Sequence, residues 1–174
     1  MTFMSSIWRA GIALPVATSA LFVQPAQAQS ANGQASANIN QSVTVVKNAD
    51  LEFGTFVPGT VRSVFRLNPN NGNLNQRNGD AVAIGGAPAP ASFTATGTPL
   101  LRVRITSGQN RIFIVRDGGT ETMRVNRFRF DGPRNRFLNA AGEATYRVGG
   151  QIRVRPNQAP GTYRGAFNVT IDYF

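Results

Sequence analysis

A two-residue alternation of apolar and polar side chains, repeated along much of the chain, restricts its fold more than any other feature. Leu101, Val103 and Ile105 fall on one side of an extended backbone, and Arg102, Arg104 and Thr106 on the other. Ile152 and Val154 alternate in the same way with Arg153 and Arg155. The last segment is the most regular, with Phe167, Val169, Ile171 and Tyr173 set against Asn168, Thr170 and Asp172. Successive side chains of a strand point to opposite faces, so this period gives a sheet with one dry and one wet face. Sustained helical periodicity is almost absent. The chain reads as all-β.

Turn residues punctuate these segments at short intervals. Val57-Pro58-Gly59-Thr60, Gly85 to Pro90, Thr96 to Pro99, Ser107-Gly108, Asp117-Gly118-Gly119, Asp131-Gly132-Pro133 and Pro156 to Gly161 are such breaks, and Gly149-Gly150 marks a hairpin or a bulge. The spacing predicts a sandwich of about seven to nine short strands. The Asn- and Gly-rich run from Asn68 to Gly79 reads as a long flexible loop.

The first residues read differently. Met1 to Arg9 form a positive start, Ala10 to Val23 an apolar stretch, and Ala26-Gln27-Ala28 a small-x-small cleavage pattern. Together they predict a signal peptide over residues 1–28, cut after Ala28. The apolar stretch is too short and too interrupted for a bilayer core of roughly 30 Å, so an integral membrane protein is not expected. Residues 29–42 form an N-terminal extension, with 46 as its outer bound, and residues 43–174 the domain. Within and beyond the extension Ala35, Ala37, Ile39, Val43 and Val45 share one face, interrupted by Gln41. This is the alternation of a strand leading into the domain.

Cysteine and histidine are both absent, and Asp and Glu number eight. That removes the commonest general base and every thiolate or imidazole metal ligand. Asp50 and Glu52 are spaced like a carboxylate pair, but Leu51 and Phe53 between and beside them make the acids the solvated face of one strand. No enzyme activity, catalytic residue, cofactor or metal is expected.

Lys47 is the one lysine among 18 cationic residues, and the formal charge is +10. Such a balance concerns solubility and anionic partners rather than fold. Arg102, Arg104, Arg127, Arg129, Arg153 and Arg155 are the candidate anion-facing surface, whose other reading is an ordinary solvated face. In the stretch Arg124 to Phe130, Phe128 and Phe130 alternate with Arg127 and Arg129. The rings are therefore expected in the core, and no specific nucleic-acid recognition is expected.

Three stretches carry a family resemblance. Asn48-Ala49-Asp50-Leu51-Glu52-Phe53-Gly54-Thr55-Phe56 is similar to a "DLDFGT" signature, Tyr146 to Val154 is the second stretch, and Gln158-Ala159-Pro160-Gly161-Thr162-Tyr163-Arg164-Gly165 with the strand after it is similar to a "GxYxGxxxVTVxY" ending. Together they resemble the small secreted β-domains of the spore coat protein U and archaic chaperone-usher pilin type, including relatives known only as domains of unknown function. The resemblance implies an incomplete immunoglobulin-like β-sandwich completed by a strand donated from the N-terminal extension of a neighbouring subunit. It further implies a homopolymeric pilus or fimbria built by donor-strand exchange, with a periplasmic chaperone and an outer-membrane usher as partners. Export through the inner membrane to the periplasm and then the cell surface follows, as do adhesion and biofilm formation. Ala35, Ala37, Ile39, Val43 and Val45 are then the candidate donor-strand anchors. Phe167, Val169, Ile171, Tyr173 and Phe174 are either the end a chaperone recognises or simply the last core strand. Archaic pilins often carry a cysteine pair, which this chain lacks. The competing expectation is a self-complete secreted sandwich that binds anionic glycans or forms part of a surface coat.

Overall fold

The structure is a computed structural model that describes Ala37 and residues 41–174. The expected leader and most of the extension, Ala35 and Ile39 included, lie outside the described residues. Among the described residues thirteen strands follow one another: β1 (Thr44–Ala49), β2 (Thr55–Val57), β3 (Ser63–Leu67), β4 (Leu74–Asn78), β5 (Val82–Gly85), β6 (Ala91–Thr96), β7 (Arg102–Ser107), β8 (Arg111–Arg116), β9 (Thr122–Phe130), β10 (Asn135–Phe137), β11 (Glu143–Val154), β12 (Tyr163–Arg164) and β13 (Val169–Tyr173). The excess over the expected number comes from fragments: β2, β5, β10 and β12 have three, four, three and two residues. The fold is all-β and sandwich-like, made of antiparallel sheets. No helix among the described residues is long and apolar enough to cross a membrane.

The twelve-residue β11 organises the molecule. Its first half pairs with β6, its second half with β3, and β9 runs along its other edge. The resulting eight-stranded sheet runs β1-β6-β11-β9-β8-β12, with β3 paired to β11 and β4 to β3, and a three-stranded sheet β10-β7-β13 faces part of it. Between the two sheets Ala95, Val103, Ile105, Leu138, Tyr146 and Ile171 form one core. Under the other half of the large sheet Phe53, Phe65, Leu67, Ile112, Met123, Val125, Ile152 and Val154 form a second. Short segments cover this second core: Leu51, Phe56 of β2 (which pairs with β5 in a two-stranded sheet), Tyr163 of β12 and Phe167 pack against it.

Asn68 to Gly79 is not a loop but the tip and return strand of a hairpin. Asn68 Oδ1 accepts from the amide of Asn70, Asn71 Oδ1 accepts from that of Asn73, and Gly72 takes φ 71°. These side chains close the turn locally, and β4 then pairs with β3.

Sequence parity changes inside β9, where Met123 and Val125 face the core but so do Phe128 and Phe130. A β-bulge reconciles them. Arg127 and Phe128 together oppose the single residue Gly150 of β11, and Arg127 takes φ 53°. The extra residue turns Asn126 and Arg127 to the same outer face.

Asp80 ties the loop after β2 to the turn before β5, accepting from the Thr60 hydroxyl (2.8 Å), the Thr60 amide (2.8 Å) and the Val61 amide (3.1 Å). Those donors, the Thr60 hydroxyl first, hold its carboxyl below the ordinary carboxylate range. The folded value lies under the unfolded one, roughly 3.9, so the contribution is complete above it and is lost as pH falls through the folded value. The gap in urea midpoint between the parent and Asp80→Ala is expected to be present at pH 6 and to shrink below about pH 4. A gap that does not vary with pH would show that the carboxylate is not the stabilising form.

Candidate functional site

Where short segments replace a second sheet, the large sheet is left with a groove of about 810 Å³. Its floor is Ala91 and Phe93 of β6, Ile112 and Ile114 of β8, Met123 and Val125 of β9, and Ile152 and Val154 of β11. The floor is apolar because these are the inward positions of alternating strands.

One wall is the stretch from Asp50 to Phe56. Glu52 exchanges main-chain hydrogen bonds with Ala89 at 2.8 and 2.9 Å, which fixes the backbone so that Leu51 and Phe53 point inward while Asp50 and Glu52 stay exposed. Within the wall Gly54 takes φ 82°, where a Cβ would stand 2.6 Å from the carbonyl oxygens of Gly85 and Gly86. Only glycine fits such a conformation in that space.

The other wall runs from Gln158 to Phe167. β12 hooks onto the edge of β8, Tyr163 beside Arg116 and Arg164 beside Val115. The Tyr163 hydroxyl donates to Ala159 O at 2.7 Å and accepts from Gln158 Nε2 at 2.8 Å, which folds the preceding loop back on itself. Gly165 lets the chain press on β8, since a Cβ there would lie 2.8 Å from Ile114 Cγ2. The Oε1 atom of Gln158 is buried with no hydrogen-bond partner among the described residues. Beyond this wall β13 pairs with β7 on one edge, and among the described residues no strand pairs with the other.

Of the expected C-terminal residues, Phe167 is in the wall, Val169, Ile171 and Tyr173 are in β13, and Phe174 is exposed with the Arg104 guanidinium 5.4 Å from its ring. Of the expected donor-strand anchors, Ala37 is exposed. Val43 packs into the core between the sheets, and Val45 sits in β1, opposite Ala95 of β6. The domain therefore holds both valines itself. Its entry point is Gln41, whose amide donates to Thr98 Oγ1 at 3.1 Å and whose carbonyl accepts from the Tyr173 hydroxyl at 2.6 Å.

The six arginines read as one surface are divided between two. Arg102 and Arg104 are exposed on β7 of the three-stranded sheet, whereas Arg127, Arg129 and Arg153 belong to the eight-stranded sheet and Arg155 directly follows it. Arg66, Arg111 and Arg124 join the latter group and were missed. Arg66 was findable, because Ser63, Phe65 and Leu67 alternate with it. No group of three or more Asp, Glu, His or Cys converges to hold a metal among the described residues.

A family model matches residues 43–173, from just before β1 to the end of β13. The chain belongs to DUF4402, a domain of unknown function. No curated protein and no solved structure matches it. The DUF4402 span contains both walls and the whole floor of the groove and leaves out residues 29–42.

Proposed function

We propose that this DUF4402 protein is the structural subunit of an extracellular pilus or fimbria, polymerised by donor-strand exchange. The observation that carries the reading is the groove between Asp50–Phe56 and Gln158–Phe167, a trough with an apolar floor and partly polar walls. A donated strand would set alternate side chains on the floor and its main chain along the unpaired edge of β13, the usual mode of strand addition. The unpartnered Gln158 Oε1 offers an acceptor on the same wall.

The donor is the N-terminal extension of a second copy. Since Val43 and Val45 serve their own domain, Ala35, Ala37 and Ile39 are left as its apolar face. Each fully buried aliphatic side chain of Ile39's size contributes roughly 1.5–3 kcal/mol. In this reading the fold is an incomplete immunoglobulin-like sandwich, and a periplasmic chaperone shields the groove until an outer-membrane usher exchanges it for the next subunit. The product is a non-catalytic surface fibre that supports adhesion and biofilm formation.

Deleting residues 29–40 tests this. The expected product is exported, folded and monomeric, and a synthetic peptide of those residues raises its thermal midpoint. Filaments formed by the deletion in negative-stain images would overturn the proposal. So would a full-length chain that stays monomeric with its groove closed to the peptide, the behaviour of a self-complete sandwich.

A further inference from the structure

The outer face of the eight-stranded sheet, opposite to the groove, gathers arginine around β3, β8, β9 and the second half of β11, while the carboxylate of Glu143 stands at the far end of β11. Cross-strand register sets Arg124 beside Arg153 in one row, and Arg111, Asn126, Gln151 and Arg66 side by side in the next. The bulge of β9 adds Arg127 to this face, and Arg129 follows it. The four ion pairs among the described residues, Lys47–Asp50, Arg116–Glu121, Arg136–Asp131 and Arg164–Asp117, engage none of these side chains.

The crowding has two physical marks. The Arg66 guanidinium is held below its ordinary pKa, first by burial and then by the like charges of Arg129, Arg77 and Arg127. The Nε atoms of Arg66 and Arg124 and the Oδ1 of Asn126 are buried with no hydrogen-bond partner among the described residues. Arg111, Arg127 and Arg134, but not Arg66, join Arg124 and Asn126 in lining a depression of about 410 Å³. Unpaired like charges and the orphaned Nε donors cost folding free energy, and an oxyanion supplies the charge and the acceptor that they lack, whereas Asn126 Oδ1, itself an acceptor, gains nothing from it.

We infer that this face binds an acidic polysaccharide, with its sulfate or carboxylate groups held by the arginine forks and the depression between Arg111, Arg124, Arg127 and Arg134 as the main subsite. Guanidinium groups match planar and tetrahedral oxyanions with paired, charge-assisted hydrogen bonds. Neighbouring strands lie about 4.8 Å apart, so the rows form a track of closely spaced cations suited to a polymer rather than to one isolated anion. A nucleic-acid strand is the other common polyanion, but it draws on exposed aromatic platforms in series. Here Phe128, whose ring also borders the depression, is stacked on Phe167 with centroids 5.0 Å apart, and Phe113 of β8, 49% exposed, is the outward-facing ring, so two rings and no series of platforms meet a strand on this face among the described residues. The groove lies on the opposite side of the sheet, so fibre assembly and polysaccharide binding are separable.

The test uses the full chain and three probes: heparin, polygalacturonate and single-stranded oligothymidylate. The triple variant Arg66→Gln/Arg124→Gln/Arg127→Gln is expected to bind the polysaccharides about 100-fold more weakly. The variant Lys47→Gln/Arg102→Gln/Arg104→Gln, with the same change in net charge but no residue on this face, is expected to lose less than about threefold. A single Arg124→Lys, which keeps the charge but not the fork, is expected to lose about threefold to tenfold, and it gives a reading even where the triple variant does not fold. Equal losses in the two triple variants would reduce the effect to net charge and overturn the site. Tighter binding of the oligothymidylate than of either polysaccharide would assign the face to nucleic acid instead, and an Arg124→Lys protein indistinguishable from the parent would remove the fork from the argument.

Discussion

Replacing Tyr146 by alanine is expected to cost about 3–5 kcal/mol, a large part of the roughly 5–15 kcal/mol that holds a domain of this size folded. Tyr146 is fully buried on β11, between the two sheets, against Ala95, Val103, Ile105, Leu138 and Ile171. Its ring also carries the Arg136 guanidinium 4.3 Å above the centroid, and Arg136 in turn holds Asp131 and the Thr145 carbonyl. Alanine would leave a cavity in a core that two sheets keep from collapsing, and would strip the cation of its aromatic partner. The hydroxyl contributes little, because its contacts with Val103 O and Arg134 O are long, 3.5 and 3.4 Å. Tyr146→Phe should therefore stay within about 1 kcal/mol of the parent. Urea unfolding reads both: the alanine midpoint should fall sharply with an unchanged slope. An alanine protein as stable as the parent, or a phenylalanine protein as weak as the alanine one, would contradict the packing assigned to this ring.

Two adjacent glycines are expected to behave oppositely. At Gly149 a Cβ would sit on the Leu67 carbonyl oxygen, far inside van der Waals contact, and 2.9 Å from the Pro69 nitrogen. Both obstacles are backbone or ring atoms that cannot swing aside, so Gly149→Val should exceed about 3 kcal/mol, the upper end for ordinary overpacking, and should spoil the junction where β11 passes from β6 to β3. At Gly150 the nearest atoms to a Cβ lie 3.6–3.7 Å away, ordinary contact. Gly150→Ala should cost less than about 1 kcal/mol. Soluble yield and thermal midpoint of the pair check this directly. Equal tolerance at the two sites would mean that β3 does not cross β11 as closely as it does here.

Much of the fold is legible from local pattern. The inward faces of β7 and β13 follow from alternation alone, since Val103, Ile105 and Ile171 are buried beside polar neighbours that are not, and on β11 Ile152 and Val154 are buried to either side of the half-buried Arg153, although Gln151 is buried as well. The same local reasoning fails at β4. Asn and Gly are poor strand formers, yet Leu74–Asn78 is extended because β3 lies beside it and Gln76 Nε2 bonds the carbonyls of Gly79 and Ala81. It fails again at Arg127, where a bulge opposite Gly150 shifts the parity. At the N-terminal end Val43 and Val45 continue the apolar face of Ala35 to Ile39, and nothing in the alternation separates strand from extension. The separation comes from the pairing of β1 with β6 and from the bonds of Gln41 to Thr98 and Tyr173.

The amino-acid sequence by itself determined that the chain is all-β, which side of each regular strand is dry, and that histidine and thiol chemistry have no residues to work with. Each of these is a property of composition or of a few consecutive residues, for which the period of two is sufficient. Tertiary structure alone decided that half of the large sheet is roofed by the segments Asp50–Phe56 and Gln158–Phe167, whose only strands are the short β2 and β12, rather than by a second full sheet, which leaves the groove. It also decided that Arg66, Arg111, Arg124 and Arg127 share one face while Arg102 and Arg104 stand on another sheet. Both depend on which distant strands become neighbours around β11, and strand adjacency is set by the packing of the whole chain, not by the alternation within any one segment.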